Sequence, residues 1–416
     1  ICNLKNMLNK IFNFPNKYSF LDDLLAGITV GIVTIPQAIA FAILAGIPPI
    51  YGLYGSFIPL LIYGFLSSSN YLNVGPVAII SIFSFNVLSQ NAKPFTTDYI
   101  NDLVILGIMV GLIQLLFGFF GLGKFLRYIP KSIISGFIQA AAIFIIASQL
   151  STAFGIEFPV DGLKKIPYLF THLNELKFYN TVLFLISITF LFLFAIFFPR
   201  FPTSISLVII TGILSYEFEF EKYGLLLIGN VPSGLPEFIF PTIKLDAIKY
   251  LPGALGIAVI ATIGSSIMAL KLEPNQPKKI KLNQEYISLG LAKFISSFFG
   301  SMPSAGSFNR TILAYKIGGK TQITSIVSSI IILFTILFLT PVIYYLPQSV
   351  ISAIIIYSVY FLFDLELIFK LWKEDKIELS YVFITMLLTL LFGLVEGIFL
   401  GILIKYLGDF FLKKKY

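Results

Sequence analysis

Asn73-Val74-Gly75-Pro76-Val77-Ala78-Ile79 lies in the first half of the chain, and Met302-Pro303-Ser304-Ala305-Gly306-Ser307-Phe308-Asn309-Arg310 lies in the second. In each, glycine and proline stand just ahead of an apolar run too short to cross a bilayer as a whole helix. Unusually short, Gly/Pro-interrupted apolar segments at corresponding positions of two halves mark broken helices around a binding site in transporters. Whether these two correspond depends on how the rest of the chain divides.

Longer apolar runs fill most of the 416 residues, 57% of which are hydrophobic and only 12% charged, with mean hydropathy +0.91. Soluble domains carry roughly 25% charged residues. A helix rising ~1.5 Å per residue needs about 20 apolar residues to cross ~30 Å of hydrocarbon. One or two such runs could be buried core; a dozen cannot. The chain therefore reads as an all-α polytopic membrane protein. We place spans near 24–44, 50–66, 75–90, 102–121, 131–150, 180–198 and 203–216. Seven more fall near 252–270, 286–299, 307–317, 321–340, 347–363, 379–393 and 395–412. The stretch 217–251, with Glu217, Glu219, Glu221 and several prolines, divides the fourteen evenly. All of 1–416 is read as one transmembrane domain, with one repeat at about 20–216 and the other at about 252–412.

The basic residues test this count. Twenty fall on the side that holds both termini, among them Lys5, Lys10, Lys124, Arg127, Arg200, Lys278, Lys279, Lys320, Lys414 and Lys415. Seven, including Lys93, Lys244 and Lys249, fall on the other, and a missed span would scramble that asymmetry. Positive residues favour the cytoplasm, so both termini are placed inside, in an integral protein of the cell (inner) membrane. Seven spans per half make the second repeat enter upside down relative to the first. The two broken stretches then occupy the third and tenth spans and approach from opposite faces, so their helix N-termini meet near the midplane.

Two helix N-termini face to face present unpaired N–H groups and partial positive charge, which suits an anion without any metal or covalent step. Pro76 fits a first helical turn, and Ser307 can cap the second half-helix or offer its hydroxyl to the anion. Arg310 sits about one turn further in. A charge at that depth costs at least ~2.5–3.5 kcal/mol and is usually kept for function. It supplies potential to the anion, braces its helix against carbonyls, or snorkels toward the inner surface. Lys293, the other cation within a span, reads as a snorkelling side chain. Glu396 reads as an interfacial charge, Trp372 and Tyr344-Tyr345 as interface anchors, and His172 as a solvated loop residue. A single cysteine, Cys2, and a single histidine exclude an internal disulfide and a histidine metal cluster. No phosphate-binding glycine loop and no nucleophile–base pair is visible, so no enzyme activity, catalytic residue, cofactor or resident metal is expected. Nucleic acid is not an expected partner; a small anion and the lipid bilayer are.

Asp23 through Tyr54 contains Ala26-Gly27-Ile28-Thr29, Ile35-Pro36-Gln37-Ala38 and Ala45-Gly46-Ile47-Pro48-Pro49-Ile50-Tyr51-Gly52-Leu53-Tyr54. With Val74-Gly75-Pro76-Val77-Ala78, Asn283-Gln284-Glu285, Phe298-Phe299-Gly300-Ser301-Met302-Pro303 and Gly319-Lys320-Thr321-Gln322, this resembles the SulP (sulfate permease) anion transporters over nearly the whole chain. The resemblance implies fourteen spans in two inverted repeats, split into a mobile core and a gate, and a homodimer. It implies an anion held by Gln37, Phe41, Val77, Ala78, Ser307, Phe308, Asn309 and Arg310. Members commonly carry a carboxylate in the eighth span that couples transport to a cation. Here Ala261-Thr262-Ile263-Gly264-Ser265-Ser266 puts Gly264 at that position, which places a coupling cation in doubt. Members usually continue into a cytoplasmic STAS domain, and none is expected within these residues, which stop at Lys413-Lys414-Lys415-Tyr416.

The expected function is secondary transport of a small anion of the sulfate, bicarbonate, chloride or dicarboxylate class by alternating access. The alternatives are an uncoupled anion channel or a nucleobase permease on the same scaffold. Gly264 together with Arg310 argues against the permease, whose half-sites would carry acids.

Overall fold

The computed structural model describes residues 17–121, 130–156, 162–197, 203–242, 245–272, 280–360 and 362–413. Its first half runs α1 (Lys17–Leu44), α2 (Pro49–Leu66), β1 (Val74–Gly75), α3 (Ala78–Leu88), α4 (Thr97–Phe119), α5 (Lys131–Phe154), α6 (Lys165–Thr171), α7 (Phe178–Phe197) and α8 (Thr203–Glu217). The second runs α9 (Leu251–Leu272), α10 (Leu282–Ser297), β2 (Ala305–Gly306), α11 (Phe308–Ile317), α12 (Ile323–Phe334), α13 (Thr340–Ile343), α14 (Gln348–Tyr360), α15 (Leu365–Glu374), α16 (Lys376–Phe392) and α17 (Leu394–Lys413). Each of the fourteen apolar stretches holds a helix. Among the described residues, eight helices are long and apolar enough to cross a bilayer. Of the sequence features used above, Cys2, Lys5, Lys10, Lys124, Arg127, Arg200, Lys244, Lys278, Lys279, Lys414, Lys415 and Tyr416 lie outside the described residues.

Two helices were missed. α6 is a single short piece in the connection before α7. α15 is amphipathic: Asp364 caps it by accepting the Leu367 N–H at 3.0 Å, and Phe369, Lys370, Trp372 and Lys373 all lie exposed. At ten residues with four charges it carries too little apolar length to read as a span.

The helices pack in two groups. α1–α4 contact α9–α12, whereas α5, α7, α8, α14, α16 and α17 contact one another, with α3, α9 and α1 reaching across. The first group depends on small residues, as helix packing inside a membrane does, because lipid offers no hydrophobic drive to press helices together. A Cβ on Gly111 would lie 2.9 Å from the Gly290 carbonyl oxygen, and one on Gly290 would lie 2.8 Å from the Gly111 oxygen. α4 and α10 therefore touch backbone to backbone at this crossing. Buried carboxylates tie the same group at its ends. Asp23, fully buried on α1, accepts the Lys320 and Thr321 N–H groups at 2.6 and 3.0 Å and the Thr321 and Thr324 hydroxyls at 2.7 and 3.1 Å. Glu285, at the start of α10, accepts the Ser68 hydroxyl at 2.6 Å, the Ser69 N–H at 3.0 Å and the Tyr63 hydroxyl.

The stretch between the halves is a strap rather than a simple divider. The Ile228 N–H donates to Leu346 O at 2.9 Å and the Gln348 N–H to Leu226 O at 2.8 Å. Further on, the Ile239 N–H donates to Phe298 O at 2.6 Å and the Thr242 N–H to Asn101 Oδ1 at 2.8 Å. It thus joins the start of α14 to the end of α10 and the start of α4.

Candidate anion-binding site

The two glycine–proline stretches do meet. β1 and β2 pair antiparallel, Val74 opposite Gly306 and Gly75 opposite Ala305. Each strand runs straight into a short helix, α3 of 11 residues and α11 of 10. At ~1.5 Å per residue these are about half the depth of a hydrocarbon core. Strand pairing explains why neither helix starts earlier: Val74–Gly75 and Ala305–Gly306 are held extended against each other, and Pro76 follows the first strand directly. The first N–H groups of each helix have no intrahelical acceptor by geometry, so the helix entrances at Val77–Ala78 and Ser307–Phe308 are donor-rich.

The seam is closed by side chains. Ser307 N–H donates to Asn73 O at 2.8 Å, and Asn73 N–H donates to Thr311 Oγ1 at 3.0 Å. The Thr311 hydroxyl in turn donates to Ser307 O at 2.6 Å. On the other side, Gly306 N–H donates to Ser265 Oγ at 2.8 Å, which fixes β2 against α9. Arg310 is fully buried: its Nε donates to Asn73 Oδ1 at 3.0 Å and its Nη2 to Pro76 O at 3.1 Å, while Nη1 has no protein acceptor. Gly75 is glycine for a reason visible here, since a Cβ would lie 2.9 Å from Arg310 Nη2.

The expected residues fall as follows. Gln37 and Phe41 are buried four residues apart on α1, on the one face such spacing gives, and α1 packs against both α3 and α11. Val77 and Ser307 are the N-cap residues of the two half-helices. Ser307 makes no capping hydrogen bond with its side chain, so the capping alternative is not used. Ala78 is buried behind Val77, whereas Phe308 and Asn309 are exposed. Arg310 does brace the seam, and its remaining donor is unspent. Gly264 is exposed on α9 with nothing within 4 Å of where its Cβ would stand.

Lys293 does not snorkel. It is 1% exposed in α10, and its Nζ donates to Gln114 Oε1 of α4 at 2.8 Å. Snorkelling needs a route to the surface, and the close α4–α10 crossing removes it. His172 also differs from the solvated reading: its ring stacks on Tyr168, centroids 3.9 Å apart. Asn73, Thr311 and Ser265 were not singled out by sequence reasoning. Asn73 sits inside the motif that drew attention, and an amide ahead of Val-Gly-Pro was the available signal.

Long apolar helices packed around a pair of half-helices define an integral membrane protein of the helical polytopic class. The chain belongs to the sulfate permease family, whose model matches residues 20–385; it is a family of anion transporters, not of enzymes. The chain is 34% identical over 392 residues to the probable sulfate transporter 4.2 of Arabidopsis thaliana, covering 91% of this chain and 57% of that protein. It is 31% identical over 428 residues to a sodium-independent sulfate anion transporter of Bos taurus, covering 93% of this chain and 69% of that protein. The structure of SLC26A9 superposes with a TM-score of 0.90 at 25% identity, over 99% of this chain and 69% of that one. The transmembrane domain of the cyanobacterial bicarbonate transporter BicA superposes with a TM-score of 0.81 at 20% identity over 93% of this chain and all of that one, a likeness of fold alone. The chain spans 57% of the length of sulfate transporters 4.2 and 4.1 of Arabidopsis thaliana.

Proposed function

We propose that the chain carries a small anion across the membrane by alternating access, with the anion held between the N-termini of α3 and α11. The carrying observation is the antiparallel β1–β2 pair, which aims two half-helices from opposite repeats at one place. Antiparallel pairing of equivalent strands is what a two-fold axis in the membrane plane would produce, so we read the fourteen helical stretches as two inverted seven-segment repeats. The binding set is Gln37 and Phe41 from α1, Val77 and Ala78 from α3, and Ser307, Phe308, Asn309 and Arg310 from α11. Gln37 supplies an amide donor and Phe41 a positively polarised ring edge. The helix group α1–α4 with α9–α12 carries the anion, and the other group serves as the gate against which it moves. Both termini lie on the cytoplasmic side, and the protein works as a homodimer.

Sulfate is the first anion to test, because the Arabidopsis and bovine relatives are named for it. Transport is taken as independent of sodium, since Gly264 offers no carboxylate and the bovine relative is itself named sodium-independent. The experiment is uptake of labelled sulfate, chloride, bicarbonate and oxalate into proteoliposomes, with and without sodium and a pH gradient. Saturable uptake stimulated by internal counter-anion supports the carrier. Unitary currents without saturation would replace it with a channel, and uptake of uracil but no anion would replace it with a nucleobase permease.

A further inference from the structure

The geometry points to Lys293 as a second positive charge of the anion site, one that sets a preference for doubly over singly charged anions. This rests on the anion-site reading above. Lys293 is enclosed at the α4–α10 crossing, yet its only charged-group chemistry is with neutral partners. Its Nζ donates to Gln114 Oε1 at 2.8 Å, and Gln114 Nε2 donates onward to Thr262 Oγ1 at 2.8 Å and towards Ala258 O at 3.4 Å. Among the described residues, no carboxylate pairs with Lys293 within 4.0 Å.

The acids on neighbouring elements are already committed elsewhere. Glu285, two turns away on the same helix, is held by Tyr63, Ser68 and Ser69. Asp102 of α4 accepts the Tyr250 hydroxyl, and Asp23 of α1 caps residues 320–324. Arg310 likewise meets only the Asn73 amide oxygen and the Pro76 carbonyl. Among the described residues, the wall behind the two half-helices therefore holds two buried cationic side chains, each hydrogen-bonded only to neutral groups. A buried charge without a counter-charge is costly, and two together call for an anion that brings two negative charges.

The charge lies close enough to be felt. Thr262, at the end of the Lys293–Gln114 relay, is three residues before Ser265 on α9, which places their Cβ atoms ~5–6 Å apart on one face. Ser265 Oγ in turn accepts the Gly306 N–H, in the strand that leads into α11. Over the ~10–20 Å such a relay spans and at an effective dielectric of ~20, each further unit of anion charge changes affinity by roughly four- to fifteen-fold. A lysine that only braced α4 against α10 would affect all anions alike.

The test uses the purified full chain in proteoliposomes and compares half-saturation for sulfate with that for chloride. Lys293→Met removes the charge. Gln114→Glu keeps Lys293 and its link to α4 but sets a carboxylate against it, which neutralises the charge and would strengthen a mere brace. Both variants are expected to raise the sulfate half-saturation about ten-fold relative to chloride, and Lys293→Arg to hold the wild-type ratio. If Lys293→Met fails to insert, Gln114→Glu decides alone. An unchanged sulfate-to-chloride ratio in Gln114→Glu, or no preference for sulfate in the wild type, overturns the role of Lys293 and leaves the anion site standing. A wild type that takes up none of sulfate, chloride, bicarbonate and oxalate overturns the anion site itself.

Discussion

Asn73 and Arg310 clasp the two halves of the chain: the Arg310 Nε donates to Asn73 Oδ1 at 3.0 Å across the β1–β2 pair. Asn73 also gives its N–H to Thr311 and its carbonyl to the Ser307 N–H, so one residue before β1 holds three points of α11. The guanidinium is thus both a charge beside the half-helices and a part of their frame.

Substitution at Arg310 separates these roles. Losing a charge-assisted contact costs about 1.5–3 kcal/mol, so Arg310→Ala is expected to raise the anion half-saturation roughly ten- to a hundred-fold. Arg310→Lys keeps the charge but lacks the fork that reaches Asn73 and Pro76 together. It is expected to fall between wild type and Arg310→Ala. Wild-type affinity and rate in Arg310→Ala would show that the frame stands without it.

Gly75 is tested by adding one methyl group. A Cβ there would stand 2.9 Å from Arg310 Nη2, and the guanidinium is hemmed in on its other sides. Overpacking of this kind typically costs ~1–3 kcal/mol. Gly75→Ala should lower the melting temperature in detergent and slow uptake. An unchanged melting temperature would mean that Arg310 moves aside freely.

Cation coupling is tested at Gly264. Replacing external sodium with choline is expected to leave anion uptake unchanged. Because the space around Gly264 is open, Gly264→Glu should insert and fold normally. Uptake that collapses without sodium, with a cation bound beside Gly264 and Ser265, would defeat this expectation and assign hydroxyls and carbonyls as ligands.

Asp23 and Lys320 form a matched pair of tests. Asp23→Ala strips acceptors from two N–H groups and two hydroxyls at a buried spot, a loss of roughly 3 kcal/mol. Reduced stability and poor insertion are expected. Lys320→Ala removes only an exposed ion pair with Asp22 at 2.7 Å and should transport normally. The hydrogen bond it donates to Asp22 holds the Lys320 ammonium above its ordinary value. Its contribution is complete below the lysine range and fades only as pH rises beyond it, so no pH effect on uptake in the neutral range should trace to Lys320. A neutral-pH dependence abolished by Lys320→Ala would contradict this.

Much of the architecture was legible because it rests on length and polarity. The apolar runs, the breaks at Gly75-Pro76 and Pro303, and the matched place of those breaks are all one-dimensional signals. The burial of Lys293 was not legible, because it depends on Gly111 and Gly290 letting two helices from different halves touch. α15 was missed because its charges resemble those of a loop until its one-sided Phe369 and Trp372 are seen in three dimensions. Arg310 was found by its rarity at depth, but its bonds to Asn73 and Pro76 are long-range pairings that spacing along the chain does not encode. The same holds for Ser265, whose hydroxyl looks ordinary until the Gly306 N–H is placed on it.

The β1–β2 pair also governs the order in which the protein can be built. Val74 and Gly75 are buried extended residues, and their backbone partners are Ala305 and Gly306. Unpaired backbone groups are not tolerated in hydrocarbon. While the ribosome is still making α4 through α10, the first half therefore has a vacant seam beside α3. Early segments must wait, shielded by one another or by the insertion machinery, until the tenth apolar stretch arrives to close it. A chain truncated after α8 would be a poor substrate for independent assembly, and its first broken helix should be the place where quality-control proteases find it.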